Sequence, residues 1–220
     1  MILTKQYVQN YIKTNKIDTS KPFALDLSNK GFTSIEAGAF NELVKLKYLY
    51  LHNNKLSNVD NVFNELVNLG ALSLYNNNLT SVDNVFNGLV SLEALDLHNN
   101  QLTSIEVGAF NGLVNLETLS LSSNNLTSVD ISNNEELNFF SVDTKTKVYI
   151  NKDQISLMEK CDITNYEVVG KIGSKFKNKL PELENQISDL LNQYQEITKK
   201  KLDLALELKK QMKIFFSLDN

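Results

Sequence analysis

The stretch Leu46-Lys-Tyr-Leu-Tyr-Leu-His-Asn-Asn-Lys-Leu56 sets leucines at 46, 49, 51 and 56 with an asparagine at 54. The alternation Leu49-Tyr50-Leu51 has the period of a short strand, leucines on one face and Tyr50 on the other. The same spacing returns at Leu69, Leu72, Leu74, Asn77 and Leu79, then at Leu92, Leu95, Leu97, Asn100 and Leu102. A further copy follows at Leu116, Leu119, Leu121, Asn124 and Leu126. Between copies a second apolar block recurs: Phe40-x-x-Leu43, Phe63-x-x-Leu66, Phe86-x-x-Leu89 and Phe110-x-x-Leu113. A block repeated every 23 or 24 residues cannot bury its own leucines. Each stacked neighbour covers the next, which predicts a parallel sheet on a curved solenoid.

The pattern Leu-x-x-Leu-x-Leu-x-x-Asn-x-Leu resembles the leucine-rich repeat family, in its 24-residue typical subclass. The resemblance implies an α/β solenoid with a curved parallel β-sheet and an irregular convex side. It also implies that other proteins are bound on the concave sheet. The repeated asparagines, able to donate and accept, are expected to bond the backbone of the adjacent copy where the chain turns inward, as an internal ladder. The outward neighbour Asn76 is expected to contribute almost nothing to stability.

The remaining boundaries follow from composition and periodicity. Residues 1–20 are read as an N-terminal helical cap, with Leu3, Tyr7, Val8, Tyr11 and Ile12 on one helical stripe. Residues 21–145 form the solenoid, about six turns. In its first copy, Lys30 takes the place of the asparagine, as suits an end position meeting solvent. Past Leu126 the period shortens to about 21 residues and the convex phenylalanine is missing, a taper toward a C-terminal cap over 146–170. There Lys147–Ile150 reads as a strand, Asn151 as a helix N-cap, Cys161 as a buried structural thiol at the helix end and Ile163–Val169 as extended chain. Residues 171–180, short, basic and punctuated by glycine, read as a linker. Residues 181–220 read as a long helix whose seam of Leu183, Ile187, Leu190, Tyr194 and Ile197 has the four-three spacing of a coiled coil, for self-association or a second partner.

Composition narrows the function. Net charge is −4, every basic side chain is lysine, and asparagine is about one residue in seven. An acidic chain without a clustered basic face argues against nucleic acid. The one cysteine, Cys161, allows no internal disulfide, which favours a reducing, cytoplasmic compartment, with non-classical delivery into a host cell left open. No apolar run is long enough for a membrane span. The only histidines, His52 and His98, occupy equivalent positions with Tyr75 between them. At about 4.8 Å per strand they should stand near 10 Å apart, too far to share a metal ion. No nucleophile motif, phosphate loop or paired-cysteine spacing is present, so neither catalysis, metal nor cofactor is expected.

What remains is a surface. The outward strand positions are Asp26, Tyr50, Ser73, Asp96, Ser120 and Ser141 in one column, and Ser28, His52, Tyr75, His98, Ser122 and Asp143 in the next. The candidate protein-binding residues are therefore Tyr48, Tyr50, His52, Ser73, Tyr75, Asp96, His98 and Ser120, where aromatics gather in the middle copies. The reading is a non-enzymatic protein-interaction module. Its rivals are a secreted effector or surface receptor module, a regulatory subunit acting through the C-terminal coiled coil, and an enzyme with an unrecognised site.

Overall fold

The structure, a computed structural model, describes residues 1–169. The expected linker over 171–180 and the helix over 181–220, with Leu183, Ile187, Leu190, Tyr194 and Ile197, lie outside the described residues.

In chain order the elements are β1 (Ile2–Leu3), α1 (Lys5–Thr14), β2 (Phe23–Asp26), β3 (Ser34–Ile35), β4 (Leu46–Tyr50), β5 (Ala71–Ser73), β6 (Ala94–Asp96) and β7 (Thr118–Ser120). They continue with β8 (Ser128–Asp130), β9 (Phe139–Ser141), β10 (Lys147–Ile150), a 3-10 turn (Lys152–Gln154), α2 (Ile155–Lys160) and β11 (Tyr166–Val168). One strand from each copy enters a six-stranded parallel sheet ordered β2-β4-β5-β6-β7-β9. Leu25, Leu49, Leu72, Leu95, Leu119 and Phe140 stand in register and are all buried. A one-residue slip would turn this whole row outward, so burial pins the register.

Behind the sheet the return segments carry Phe40, Phe63, Phe86 and Phe110, fully buried, with ring centroids 6.2 Å apart for Phe40–Phe63 and 6.0 Å for Phe86–Phe110. Each buried leucine or phenylalanine contributes roughly 1.5–3 kcal/mol by leaving water, so this repeated core dominates the fold.

The asparagine ladder forms as expected. Asn77 Nδ2 donates to Leu51 O at 3.0 Å and Leu74 O at 2.9 Å, while its Oδ1 accepts from Leu56 N at 3.0 Å. Asn100 repeats this with Leu74 O, Leu97 O and Leu79 N, and Asn54 and Asn124 extend it in both directions. Where a ladder asparagine is missing in the first copy, the Lys30 amide donates to Asn54 Oδ1 and its ammonium lies 5.8 Å from the Tyr11 ring centroid. Asp143 closes the far end, its two oxygens accepting from Ser123 N and Asn124 N, both at 2.9 Å.

Several expectations need correction. Leu3 is not on the helix: it lies on β1, paired with Ile35 on β3, and Thr4 opens α1 by accepting from Tyr7 N. Leu3 and Val8 are nonetheless buried, and Tyr7 meets Phe32 edge-on at 5.1 Å. Asn76 is not a neutral outward residue, since its φ is +53° and its side chain bonds both neighbouring copies. Cys161 is half-buried rather than buried, and its Sγ accepts from Phe140 N at 3.4 Å.

The return side is irregular in the middle copies but becomes a sheet after Leu126, ordered β11-β10-β8 and parallel throughout. Here Asn134 takes the place of the convex phenylalanine, fully buried, with Nδ2 donating to Phe110 O at 2.9 Å. Asn151 begins the turn into α2 through a reciprocal capping bond with Gln154.

Candidate functional site

The strand alternation that buries the leucines leaves three columns on the other face of the six-stranded sheet. The register places Asp26, Tyr50, Ser73, Asp96, Ser120 and Ser141 in line, as read from the sequence. The next column lies just beyond the strand ends, where Leu27 N bonds Tyr50 O and Leu51 N bonds Ser73 O, and the pattern repeats along the stack.

In that column His52, Tyr75 and His98 form one continuous pile. The His52 and Tyr75 rings lie 4.4 Å apart at an interplanar angle of 9°, and Tyr75 and His98 lie 4.6 Å apart at 9°. Tyr50 meets His52 edge-on at 6.2 Å. Tyr75 thus fills the space between the imidazoles. Among the described residues no group of His, Cys, Asp or Glu is arranged to hold a metal ion.

A carboxylate holds the His98 end of this pile. Asp96 Oδ1 accepts from His98 N at 3.1 Å and lies 2.7 Å from His98 Nδ1. An ionised carboxylate only accepts, so the proton in that contact sits on Nδ1. Asp26 does the same in the first copy: Ser28 donates its hydroxyl at 2.7 Å and its amide at 2.9 Å to Asp26 Oδ1. Those two bonds, with smaller help from His52 and Lys30 and against a small effect of burial, hold the Asp26 carboxyl below its ordinary value.

Not every outward position is free to meet a partner. Ser28 is buried and spent on Asp26, and Asp143 is spent on the ladder. Ser73 Oγ lies 3.4 Å from His52 Nδ1, and Ser120 Oγ 2.9 Å from Ser141 Oγ. Tyr48 is 48% exposed.

Sequence reasoning named Tyr48 but missed the third column to which it belongs: Ala24, Tyr48, Ala71, Ala94, Thr118 and Phe139. Tyr48, beside Ala24, and Phe139, at the far end, each 48% exposed, stand as bulky walls with only Ala71, Ala94 and Thr118 between them. The signal was present in the copies, since the residue before each central leucine falls in this column. Charge was missed as well. Between Leu56 and Thr144 the sequence holds eleven aspartates and glutamates and no lysine or arginine.

Comparison with known proteins agrees with this architecture. The family described as "Leucine rich repeat" matches residues 24–79 and 91–143, and "Leucine Rich repeats (2 copies)" matches residues 67–109. The leucine-rich repeat domain of APL1B is similar in structure, with a TM-score of 0.57 at 23% identity over 71% of this chain and 48% of that one. A chain of the LRIM1/APL1C complex is also similar, with a TM-score of 0.53 at 28% identity over 58% of this chain and 24% of that one. The chain thus spans about half the length of the first and a quarter of the second. A search of curated protein sequences gives no match. The family matches together run from residue 24 to 143, more than half of the 220 residues, over the same copies that build the sheet, ladder and phenylalanine column: the chain belongs to the leucine-rich repeat family.

Proposed function

We propose that this chain is a protein-interaction module that binds a protein partner on the outward face of its six-stranded sheet, and that it is not an enzyme. The observation that carries the reading is the pile of His52, Tyr75 and His98, with Tyr50 at its edge, held on paired strands. Stacked rings on a rigid sheet lose little conformational freedom when a partner arrives, which is how aromatic side chains serve recognition surfaces. The similar LRIM1/APL1C structure is that of a complex, which supports the same use of the fold.

In this reading α1 covers the first strand of the stack and α2, packed near β9, covers the last. Residues 181–220, with the seam Leu183, Ile187, Leu190, Tyr194 and Ile197, serve self-association or a second partner, and the chain works in a reducing, cytoplasmic setting. Affinity capture with the full chain and with a Tyr50→Ala/His52→Ala/Tyr75→Ala variant tests the surface. Proteins held by the parent and by Asn64→Ala, on the return side, should be lost from the triple variant. An unchanged set of captured proteins would overturn the sheet-face reading.

A further inference from the structure

The outward sheet face has a shape and a charge, and together they select among partners. The column between Tyr48 and Phe139 is floored by Ala71, Ala94 and Thr118, whose side chains are short beside the two exposed aromatic walls. Four strand-to-strand steps separate its walls, about 19 Å, which is the length of about six residues of extended chain. Glu93 and Glu117 stand exposed immediately before β6 and β7 along the floor, and Asp96 lies on β6 in the column next to it.

On the far side of that column the aromatic pile adds the Asp96 carboxylate, whose Oδ1 lies 2.7 Å from His98 Nδ1. No lysine or arginine occurs anywhere in the copies from Leu56 to Thr144 to offset these groups. The face over β5 to β9 therefore offers carboxylates and ring edges without a lysine or arginine, while Lys47 on β4 lies at its edge. Its electrostatic complement is a cation-rich chain.

We infer that the partner of this face is an extended, lysine- or arginine-bearing segment of about six residues lying across β4 to β9, with its backbone over Ala71, Ala94 and Thr118 and its basic side chains toward Glu93, Asp96 and Glu117. This rests on the sheet-face reading proposed above and names the chemistry of its partner. Exposed pairs of this kind are individually weak and screened over about 8 Å at physiological ionic strength, so binding depends on several acting together and falls with salt.

Selection from random dodecapeptides displayed on phage, against the immobilised full chain at 50 mM NaCl, tests it. The expected result is enrichment of peptides rich in lysine and arginine. Their synthetic counterparts should lose about tenfold in affinity to a Glu93→Gln/Asp96→Asn/Glu117→Gln variant, and a similar factor to Tyr75→Ala. Circular dichroism confirms that each variant is folded. Peptides that are neutral or acidic, yet lost in Tyr75→Ala, would overturn the basic partner and leave the sheet face standing. Peptides indifferent to both variants would overturn the sheet face itself, and a selection giving no enrichment counts against the short extended segment.

Discussion

Asn76 donates from Nδ2 to Asn53 Oδ1 at 2.6 Å, and both residues hold left-handed backbone, φ +53° and +55°. Asn99, at φ +52°, donates in turn to Asn76 Oδ1. A second, shorter asparagine ladder thus runs beside the buried one, at the turns that follow β4, β5 and β6. Asparagine tolerates this conformation better than other residues with a Cβ, because its short amide finds local partners.

Asn76→Ala is therefore expected to destabilise by about 1 kcal/mol through backbone strain and the lost side-chain bonds. Asn76→Gly removes the strain and should cost less than the alanine. Urea denaturation of the three proteins checks the order; an alanine variant as stable as the parent would show that the turn carries no strain.

The inner ladder should cost more. Asn77→Ala or Asn100→Ala leaves buried carbonyls and an amide without partners, roughly 1–3 kcal/mol. Both substitutions should lower the melting temperature further than Asn76→Ala in the same buffer. If they matched it, the buried bonds would be contributing little beyond the turn.

Much of this was legible in the sequence because the repeat reports each position several times. Leu49, Leu72, Leu95 and Leu119 fixed which strand face is buried, and the columns through Tyr50 and His52 followed. The turn conformation was hidden because the repeat spacing places Asn54 and Asn77 inward but carries no signal of the left-handed backbone at Asn53 and Asn76. Phe139 could have been placed, since Ser141 in the outward column turns Phe140 inward and Phe139 outward by strand alternation, as the pairing with Thr118 and Leu119 has it. The sheet of β8, β10 and β11 joins segments some twenty residues apart with no repeated signal. Leu3 could have been placed correctly, since Thr4 is a helix-capping residue type standing between it and the apolar stripe of α1.

The Asp26 carboxyl titrates below its ordinary value because Ser28 donates to it twice. A group whose folded value is depressed stabilises the fold above its unfolded value, near pH 4, and loses that contribution as pH falls through the folded one. Carboxyl-detected NMR should find Asp26 below the ordinary aspartate value and Ser28→Ala should raise it. An Asp26 titration unaffected by Ser28→Ala would assign the shift elsewhere.

Phe63→Ala should be among the most damaging single changes, at about 3–5 kcal/mol, because the ring is fully buried and stacked on Phe40. Phe63→Leu keeps most of the volume and should cost markedly less. Comparable losses for both would mean that ring stacking, rather than volume, holds the return side.

The last copy replaces that ring with polar groups, and the two kinds of atom there should respond in opposite ways. Gln154 Nε2 donates to Ile131 O at 2.8 Å and Asn134 O at 2.9 Å, and its Oε1 accepts from Asn151 N at 2.9 Å, all buried. Gln154→Leu has nearly the same volume but leaves two carbonyls and an amide unpaired, so a loss of roughly 1–3 kcal/mol is expected. Ser132 Oγ, by contrast, is buried with no hydrogen-bond partner among the described residues. Removing a desolvated, unpaired hydroxyl costs the fold nothing, and Ser132→Ala should be neutral or stabilising. Chemical denaturation of both variants decides whether the polar end of the stack is held by its bonds. A stable Gln154→Leu would show that packing alone suffices there, and a destabilised Ser132→Ala would show that its hydroxyl has a partner after all, such as a buried water.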